Sequence, residues 1–237
     1  MNIALVLSGG TGTRIGGDIP KQYIKVKDRM LIAFCLGMFA EHKRIDGVWI
    51  VADPAWRDNI MDECGKQKID PDQIKGFSIP GETRQLSILN GLRDISTYVS
   101  SSDEGNIADT VVIIHDAARP NLTAEYIDKC LDALEGYDGV MPVLPMKDTV
   151  YYSESGKSVD RLLDRSCIYA GQAPEVYRLD KYLEANERLL PDEIYKINGS
   201  TETAVLAGLN VAMIPGDENN YKITTQKDLE RFVHDIG

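Results

Sequence analysis

Met1-Asn2-Ile3-Ala4-Leu5-Val6-Leu7 runs without a break into Ser8-Gly9-Gly10-Thr11-Gly12-Thr13-Arg14. The first run is apolar with β-branched members, the composition of a strand buried on both faces. A buried strand that empties into a glycine-rich turn can build a cradle for phosphate. Glycines let backbone N–H groups approach an anion closely, and a following helix N-terminus adds partial positive charge. Arg14 and Lys21, the latter in Pro20-Lys21-Gln22, bring two cations close to the strand end. The plainer alternative is a turn that only closes a tight strand-to-helix connection. Because the first two glycines are adjacent, the segment is not G-x-G-x-x-G, and no G-K-[ST] follows, so neither the dinucleotide fingerprint nor the P-loop applies.

Working outward, 237 residues are ample for one large α/β domain with a substantial core, and we take 1–237 as a single domain. A net charge of −11 argues against general affinity for nucleic acid or for an anionic membrane, both of which need dense positive charge. An anionic small substrate stays open if positive groups converge locally. Cys35, Cys64, Cys130 and Cys167 are widely spaced with no C-x-x-C pair, which suggests reduced thiols and neither a zinc knuckle nor a disulfide framework. The start carries no signal-peptide pattern and no apolar run reaches the length of a membrane span. A cytoplasmic protein is expected.

Strand and helix patterns alternate down the chain. Gln22–Val26 reads as extended, Met30–His42 as a helix, Gly47–Ala52 as a buried strand, Trp56–Lys68 as a helix and Phe77–Pro80 as a short strand. This order predicts a doubly wound, mostly parallel, Rossmann-like sheet. Gly81-Glu82-Thr83-Arg84-Gln85-Leu86-Ser87 opens a helix through Ile95, and its glycine, hydroxyl and arginine suit either a second anion or base contact or an ordinary cap. Residues 100–109 read as a polar, mobile loop. Thr110–Ile114 is strand-like and ends in His115-Asp116-Ala117-Ala118-Arg119-Pro120. Ligands of open parallel sheets sit beyond the carboxyl ends of the strands, so this tip should face the glycine loop. An Asp116–Arg119 ion pair is the structural alternative.

Thr123 should cap a helix to about Glu135, and Gly139–Leu144 should be a strand. Residues 150–161 have the turn chemistry of an extended hairpin arm, a feature that often meets a second subunit. Helices are expected over 179–189 and 201–207 and after Thr225, with a strand over 211–215.

Ser8-Gly9-Gly10-Thr11-Gly12-Thr13-Arg14, Pro20-Lys21-Gln22, His115-Asp116-Ala117-Ala118-Arg119-Pro120, Lys147-Asp148-Thr149, Asp164-Arg165, Gly171-Gln172-Ala173-Pro174 and Lys222-Ile223-Thr224 occur in one order, spanning about Ala4 to Leu229. In this the chain resembles the sugar-alcohol phosphate cytidylyltransferases, which include the 2-C-methyl-D-erythritol 4-phosphate enzyme of isoprenoid synthesis and the ribitol 5-phosphate enzyme of teichoic acid and capsule synthesis. The resemblance implies CTP plus a polyol phosphate giving a CDP-polyol and pyrophosphate, with Mg2+. A phosphate monoester is largely dianionic at neutral pH, with a second pKa of about 6, so it can attack without a general base. Catalysis then rests on cations and positioning.

By position, the resemblance makes Arg14 and Lys21 the pair that holds the triphosphate. It makes Arg165 and Lys222 the pair that positions the polyol phosphate, the latter able in the family to come to a neighbouring subunit's site through the arm. Leu7, Ser8, Gly9, Gly10, Gly12, Thr13, Gly81, Glu82, Thr83, Arg84 and Ser87 would line the CTP site. Asp116 would sit by the ribose or the metal, and Arg119 and Thr149 would help fix the acceptor. A homodimer is implied. Two departures bear on the acceptor: Asn198-Gly199 stands where the family often has Thr-Asp, and Asn219-Asn220 where the isoprenoid enzymes have Asp-Asn. Asp18-Ile19-Pro20-Lys21-Gln22, Gly171-Gln172-Ala173-Pro174 and Lys222-Ile223-Thr224-Thr225 resemble the ribitol branch more than the methylerythritol branch, which is the alternative. A non-catalytic nucleotide-binding paralogue is a further one, as is use of another nucleotide.

Overall fold

Side chains alternate across a strand, and β1 (Asn2–Leu7) sends Ala4 and Val6 into one hydrophobic cluster and Ile3 and Leu5 into another. All four are fully buried, so β1 lies inside a sheet covered on both faces. The computed structural model describes residues 1–10, 19–103 and 105–237.

After β1 come a small ribbon of β2 (Lys25–Val26) and β3 (Arg29–Met30), then α1 (Leu31–Ala40), β4 (Gly47–Val51), α2 (Pro54–Lys66), β5 (Ile74–Ser78), α3 (Arg84–Ser100), β6 (Val111–Asp116), α4 (Ala124–Asp132) and β7 (Gly139–Pro145). The second half holds β8 (Val150–Tyr152), β9 (Arg161–Leu163), β10 (Tyr169–Gly171), β11 (Glu175–Arg178), α5 (Leu179–Glu187), α6 (Ser200–Leu206), β12 (Val211–Pro215) and α7 (Gln226–Asp235).

The main sheet has eight strands in the order β5, β4, β1, β6, β11, β7, with β12 on the outer flank of β7 and β10 continuing its inner flank. β5, β4, β1 and β6 are mutually parallel, β12 is parallel to β7, and only β10 and β11 run against their neighbours. The expected doubly wound, mostly parallel sheet is therefore present. α1, α2 and α4 cover the face with Ala4 and Val6, whereas α3, α5 and α6 cover the face with Ile3 and Leu5. The chain winds from β1 outward through β4 and β5, then returns to β6 on the other side of β1. That reversal opens a crevice at the carboxyl ends of β1 and β6.

Several boundaries differ from the sequence expectation for local reasons. α2 starts at Pro54, because Asp53 Oδ1 accepts from Ala55 N at 2.9 Å and proline suits the first helical position. Lys21–Tyr23 is a 3-10 turn, held by Tyr23 stacking on Trp56 at 4.2 Å and donating to Ser8 O. The polar stretch after Ile95 carries local structure: α3 continues to Ser100, and Asn106 caps the 3-10 turn Ile107–Asp109. β10 and β11, three and four residues long and parted by a cis Ala173–Pro174 peptide, have too little periodicity to be legible beforehand. The hairpin arm is present as β8 and β9, a two-stranded sheet of its own that reaches Leu163. Cys35, Cys64 and Cys130 are buried free thiols and Cys167 an exposed one.

Candidate active site

The end of β1 is held by the segment that follows it. Ser8 N donates to Val51 O of β4 at 2.9 Å, and Ser8 Oγ donates to the Tyr23 hydroxyl at 2.7 Å. Gln22 Nε2 donates to both Ser8 O and Gly10 O, at 2.6 and 2.7 Å. Buried Gln22 thus ties Pro20-Lys21-Gln22 to the glycine turn, a role that sequence reasoning missed although the motif was singled out. Gly9 faces Pro80 so closely that a Cβ would come 2.5 Å from the Pro80 Cβ. Glycine is required there by close approach. Gly12, Thr13 and Arg14 lie outside the described residues.

The second wall is the start of α3. Thr83 is an ordinary N-cap, its Oγ1 accepting from Leu86 N at 3.2 Å. Ser87 Oγ accepts from Gly81 N at 3.0 Å and donates to Thr83 O at 2.9 Å, which closes the 81–87 turn. Arg84 leaves the cap and turns inward. Its Nε and Nη2 each lie 3.4 Å from Asp116 Oδ1, and its Nη1 donates to Ser200 Oγ at 2.6 Å. The ordinary cap is present, and the same motif also sends Arg84 toward Asp116.

Asp116, at the end of β6, is the hub. Arg84, Arg119 and Lys222 approach its carboxylate at 3.4, 3.5 and 3.0 Å. Burial would raise the Asp116 pKa, but Arg84, Lys222 and Arg119 outweigh it and hold the carboxyl far below the usual carboxylate range. Burial also opposes charge on Arg84, and Asp116 and Glu175 more than offset that, raising its pKa. Three cations around one carboxylate leave local positive charge in an acidic protein. Lys21 adds to it, with its Nζ donating to Ile223 O at 2.7 Å beside Lys222. These groups enclose a cleft of about 650 Å³ lined by Leu7, Gly9, Gly10, Lys21, Gln22, Gly81, Glu82, Thr83, Arg84, Ser87, Asp116, Ala118, Lys222 and Thr224.

Other expected residues stand elsewhere. The Asp116–Arg119 ion pair exists, and the Arg119 side chain, only 12 % exposed, also donates to Asn220 O at 2.7 Å, so it braces the cleft from behind. Lys222 lines this chain's own cleft and is not part of the arm. Arg165 is the residue at the arm's base: it is exposed, donates to Lys147 O at 2.7 Å, and like exposed Thr149 does not line the cleft. The Asn219-Asn220 departure is partly a matter of framework, since Asn220 is fully buried with Nδ2 donating to Ala173 O at 2.6 Å. His115 is buried beside Phe39 with Nε2 3.0 Å from Arg119 O, and burial pushes its pKa down to about 4. A neutral imidazole locked into the loop is not placed for acid–base work in the cleft.

Among the described residues no group of three or more His, Cys, Asp or Glu side chains converges as a metal site. Asp116, the acid expected near a metal, is already surrounded by three cations. The described residues do not fit a protein cage for magnesium. Among them, no helix is long and apolar enough to cross a membrane.

A glycine-walled, cationic cleft at the switch point of a doubly wound sheet is chemically suited to a nucleotide's phosphates and to phosphoryl transfer. The chain belongs to the IspD (2-C-methyl-D-erythritol 4-phosphate cytidylyltransferase) family, whose model matches residues 2–233. It is 32 % identical to the 2-C-methyl-D-erythritol 4-phosphate cytidylyltransferase of Rubrobacter xylanophilus, over 96 % of this chain and 91 % of that protein. It is 26 % identical to the ribitol-5-phosphate cytidylyltransferase of Lacticaseibacillus paracasei, over 98 % of this chain and 96 % of the other. The crystal structure of 4-diphosphocytidyl-2C-methyl-D-erythritol synthase from Anaerococcus prevotii superposes with a TM-score of 0.80 at 25 % identity, covering 99 % of this chain and 95 % of that one. The protein is a cytidylyltransferase, a nucleotidyltransferase acting on CTP and a sugar-alcohol phosphate.

Proposed function

We propose that CTP lies in the cleft between the glycine turn and the start of α3, and that the acceptor is ribitol 5-phosphate or a related alditol phosphate. One observation carries the placement: Arg84, Arg119 and Lys222 converge on Asp116 at the carboxyl ends of β1 and β6. Backbone groups of Leu7, Ser8, Gly9, Gly10 and the 81–87 turn would read the pyrimidine. Arg14, Gly12, Thr13 and Lys21 would hold the triphosphate, and Lys222 would draw in the acceptor's phosphate.

The acceptor's dianionic phosphate oxygen attacks the α-phosphorus of CTP, a new O–P bond forms, and the bond to pyrophosphate breaks. No proton has to be removed from the nucleophile. The residues therefore act by positioning two anions and by stabilising charge on the transferring phosphoryl group. Magnesium, where it accompanies CTP, would take oxygens chiefly from the phosphates.

We further propose a homodimer built through the arm. Tyr151, Val159 and Leu162 are 58, 66 and 62 % exposed there, and apolar side chains clustered on a projecting hairpin suit contact with a second copy. Such a contact would carry Arg165 and Thr149 of one protomer to the cleft of its partner.

The acceptor preference rests on Asp18-Ile19-Pro20-Lys21-Gln22, Gly171-Gln172-Ala173-Pro174 and Lys222-Ile223-Thr224-Thr225. The methylerythritol reading is favoured by the family model and by the 32 % identical relative. Pyrophosphate release from CTP and magnesium decides between them, with D-ribitol 5-phosphate and 2-C-methyl-D-erythritol 4-phosphate supplied at equal concentration. Turnover of the ribitol ester is expected; turnover of the branched ester alone reverses the order, and CTP binding with neither reaction favours a non-catalytic paralogue.

A further inference from the structure

β11 pairs with β6 so that Glu175 stands opposite Ile114, on the sheet face covered by α3, α5 and α6. The residue is 8 % exposed, an acid buried beside the polar residues Gln85, Asn186 and Ser200 of those helices. Such a group persists only when its charge is matched and its oxygens are bonded. Donor chemistry fixes the direction of its bonds. Arg84 can only donate, so Ser200 Oγ accepts from Arg84 Nη1 at 2.6 Å, and the single Ser200 proton is left for Glu175 Oε2, to which it is bonded. Thr201 Oγ1 lies 3.4 Å from Glu175 Oε1, and the Tyr177 hydroxyl lies 2.8 Å from Thr201 Oγ1. Both carboxyl oxygens thus face hydroxyls; burial raises the Glu175 pKa, and the nearby Arg84 guanidinium and the Ser200 bond oppose that rise.

The consequence falls on Arg84. Its guanidinium is held at two edges, with Nε and Nη2 toward Asp116 and Nη1 toward Ser200. A long arginine facing Asp116 alone could fold fully onto that carboxylate and cancel its charge. A second hold from behind fixes the plane of the guanidinium and leaves Asp116 shared with Arg119 and Lys222. At the α6 start Gly199 makes no side-chain cap, and the first-turn acid, Glu202, accepts from Asn198 N at 2.8 Å and is not the acid that Ser200 bonds. That acid arrives from β11 instead.

We infer that Glu175 is a positioning residue of the cleft, setting Arg84 for the nucleotide through the Ser200 hydroxyl. This rests on the cleft being the CTP site. The full-length protein is assayed with CTP and acceptor, and CTP affinity is titrated separately. Glu175→Gln keeps an acceptor for Ser200 and the side-chain volume while replacing the carboxyl by an amide. The expected result is a rise of about three- to ten-fold in Kd and KM for CTP, with kcat and the acceptor KM changed by less than about two-fold. Ser200→Ala should give the same pattern, and the double variant should be no worse than the stronger single one, because the two act through one chain of bonds. Should Glu175→Gln fail to fold, Ser200→Ala, which removes one hydroxyl, carries the test alone. Arg84→Ala separates the two ideas. If it leaves CTP affinity intact, the cleft assignment falls and the inference with it. If it weakens CTP while Glu175→Gln and Ser200→Ala lower only the melting temperature, or their effects multiply, the inference alone is overturned.

Discussion

Lys222 Nζ lies 3.0 Å from Asp116 Oδ2, joining the segment before the last helix to the end of the central strand β6. The pair is one of three that converge on a single carboxylate. Asp116 therefore works as a collector of cations, and a polyanionic substrate meets positive charge that is already gathered and fixed.

Asp116→Asn removes that collector while keeping its shape. We expect kcat/KM to fall by on the order of 10²-fold. The folded Asp116 pKa lies below its unfolded value near 3.9, so the stabilisation it provides is present above about pH 4 and is lost as pH falls further, through the folded value. Acid titration of unfolding should give a shallower loss for Asp116→Asn below pH 4 than for the wild type; identical curves would contradict the ion-pair cluster.

Lys21 lines the cleft and stands outside the hydrophobic core. Lys21→Ala should lower kcat by roughly 10²-fold and change unfolding free energy by less than about 1 kcal/mol. A normal rate with intact CTP dependence would remove its assigned role.

His115 is neutral in the fold down to about pH 4, whereas an unfolded histidine titrates near 6.5. Between those values the unfolded chain binds the extra proton, so stability falls as pH drops from about 6.5 toward 4, by up to about 1.4 kcal/mol per pH unit from this residue. Urea midpoints at pH 7 and 5 should converge in His115→Asn relative to the wild type. A resonance assigned to the His115 imidazole that titrates near 6.5 would exclude the buried neutral form.

The arm carries no side chain of the main core. Tyr151→Asp combined with Leu162→Asp should leave the circular dichroism spectrum unchanged, convert the dimer to a monomer in sedimentation, and raise the acceptor KM through loss of Arg165 from the partner's cleft. A wild-type protein that sediments as a monomer would defeat this proposal at once.

Gly9→Ala would drive a methyl group into Pro80. CTP affinity should drop about ten-fold or more, since the clash between two loops must open the nucleotide wall. Unaltered affinity would place the base elsewhere.

Much of this is legible in the sequence because the signals are local. A short β-branched run such as Val111–Ile114 bounded by polar residues favours a buried strand, and glycines beside hydroxyls favour turns. Lys21, Arg84, Asp116 and Lys222 stand in motifs, and the cleft brings them together. Glu175 and Ser200 do not stand out, since an acid in a short strand between turns has no periodic signature. Gln22 is visible within its motif while its role is not, because its bonds to Ser8 O and Gly10 O exist only once the turn has closed.

The amino-acid order alone determined the strand and helix alternation, the switch-point crevice and the residue types that enter it, because these follow from period, turn chemistry and composition along the chain. Tertiary structure decided how those groups are charged and where they point. It set Arg84 between Asp116 and Ser200, moved Arg119 behind the cleft and left Arg165 on the arm. Coulomb interactions and desolvation depend on distances of a few ångströms between segments far apart in sequence, and only packing sets those distances.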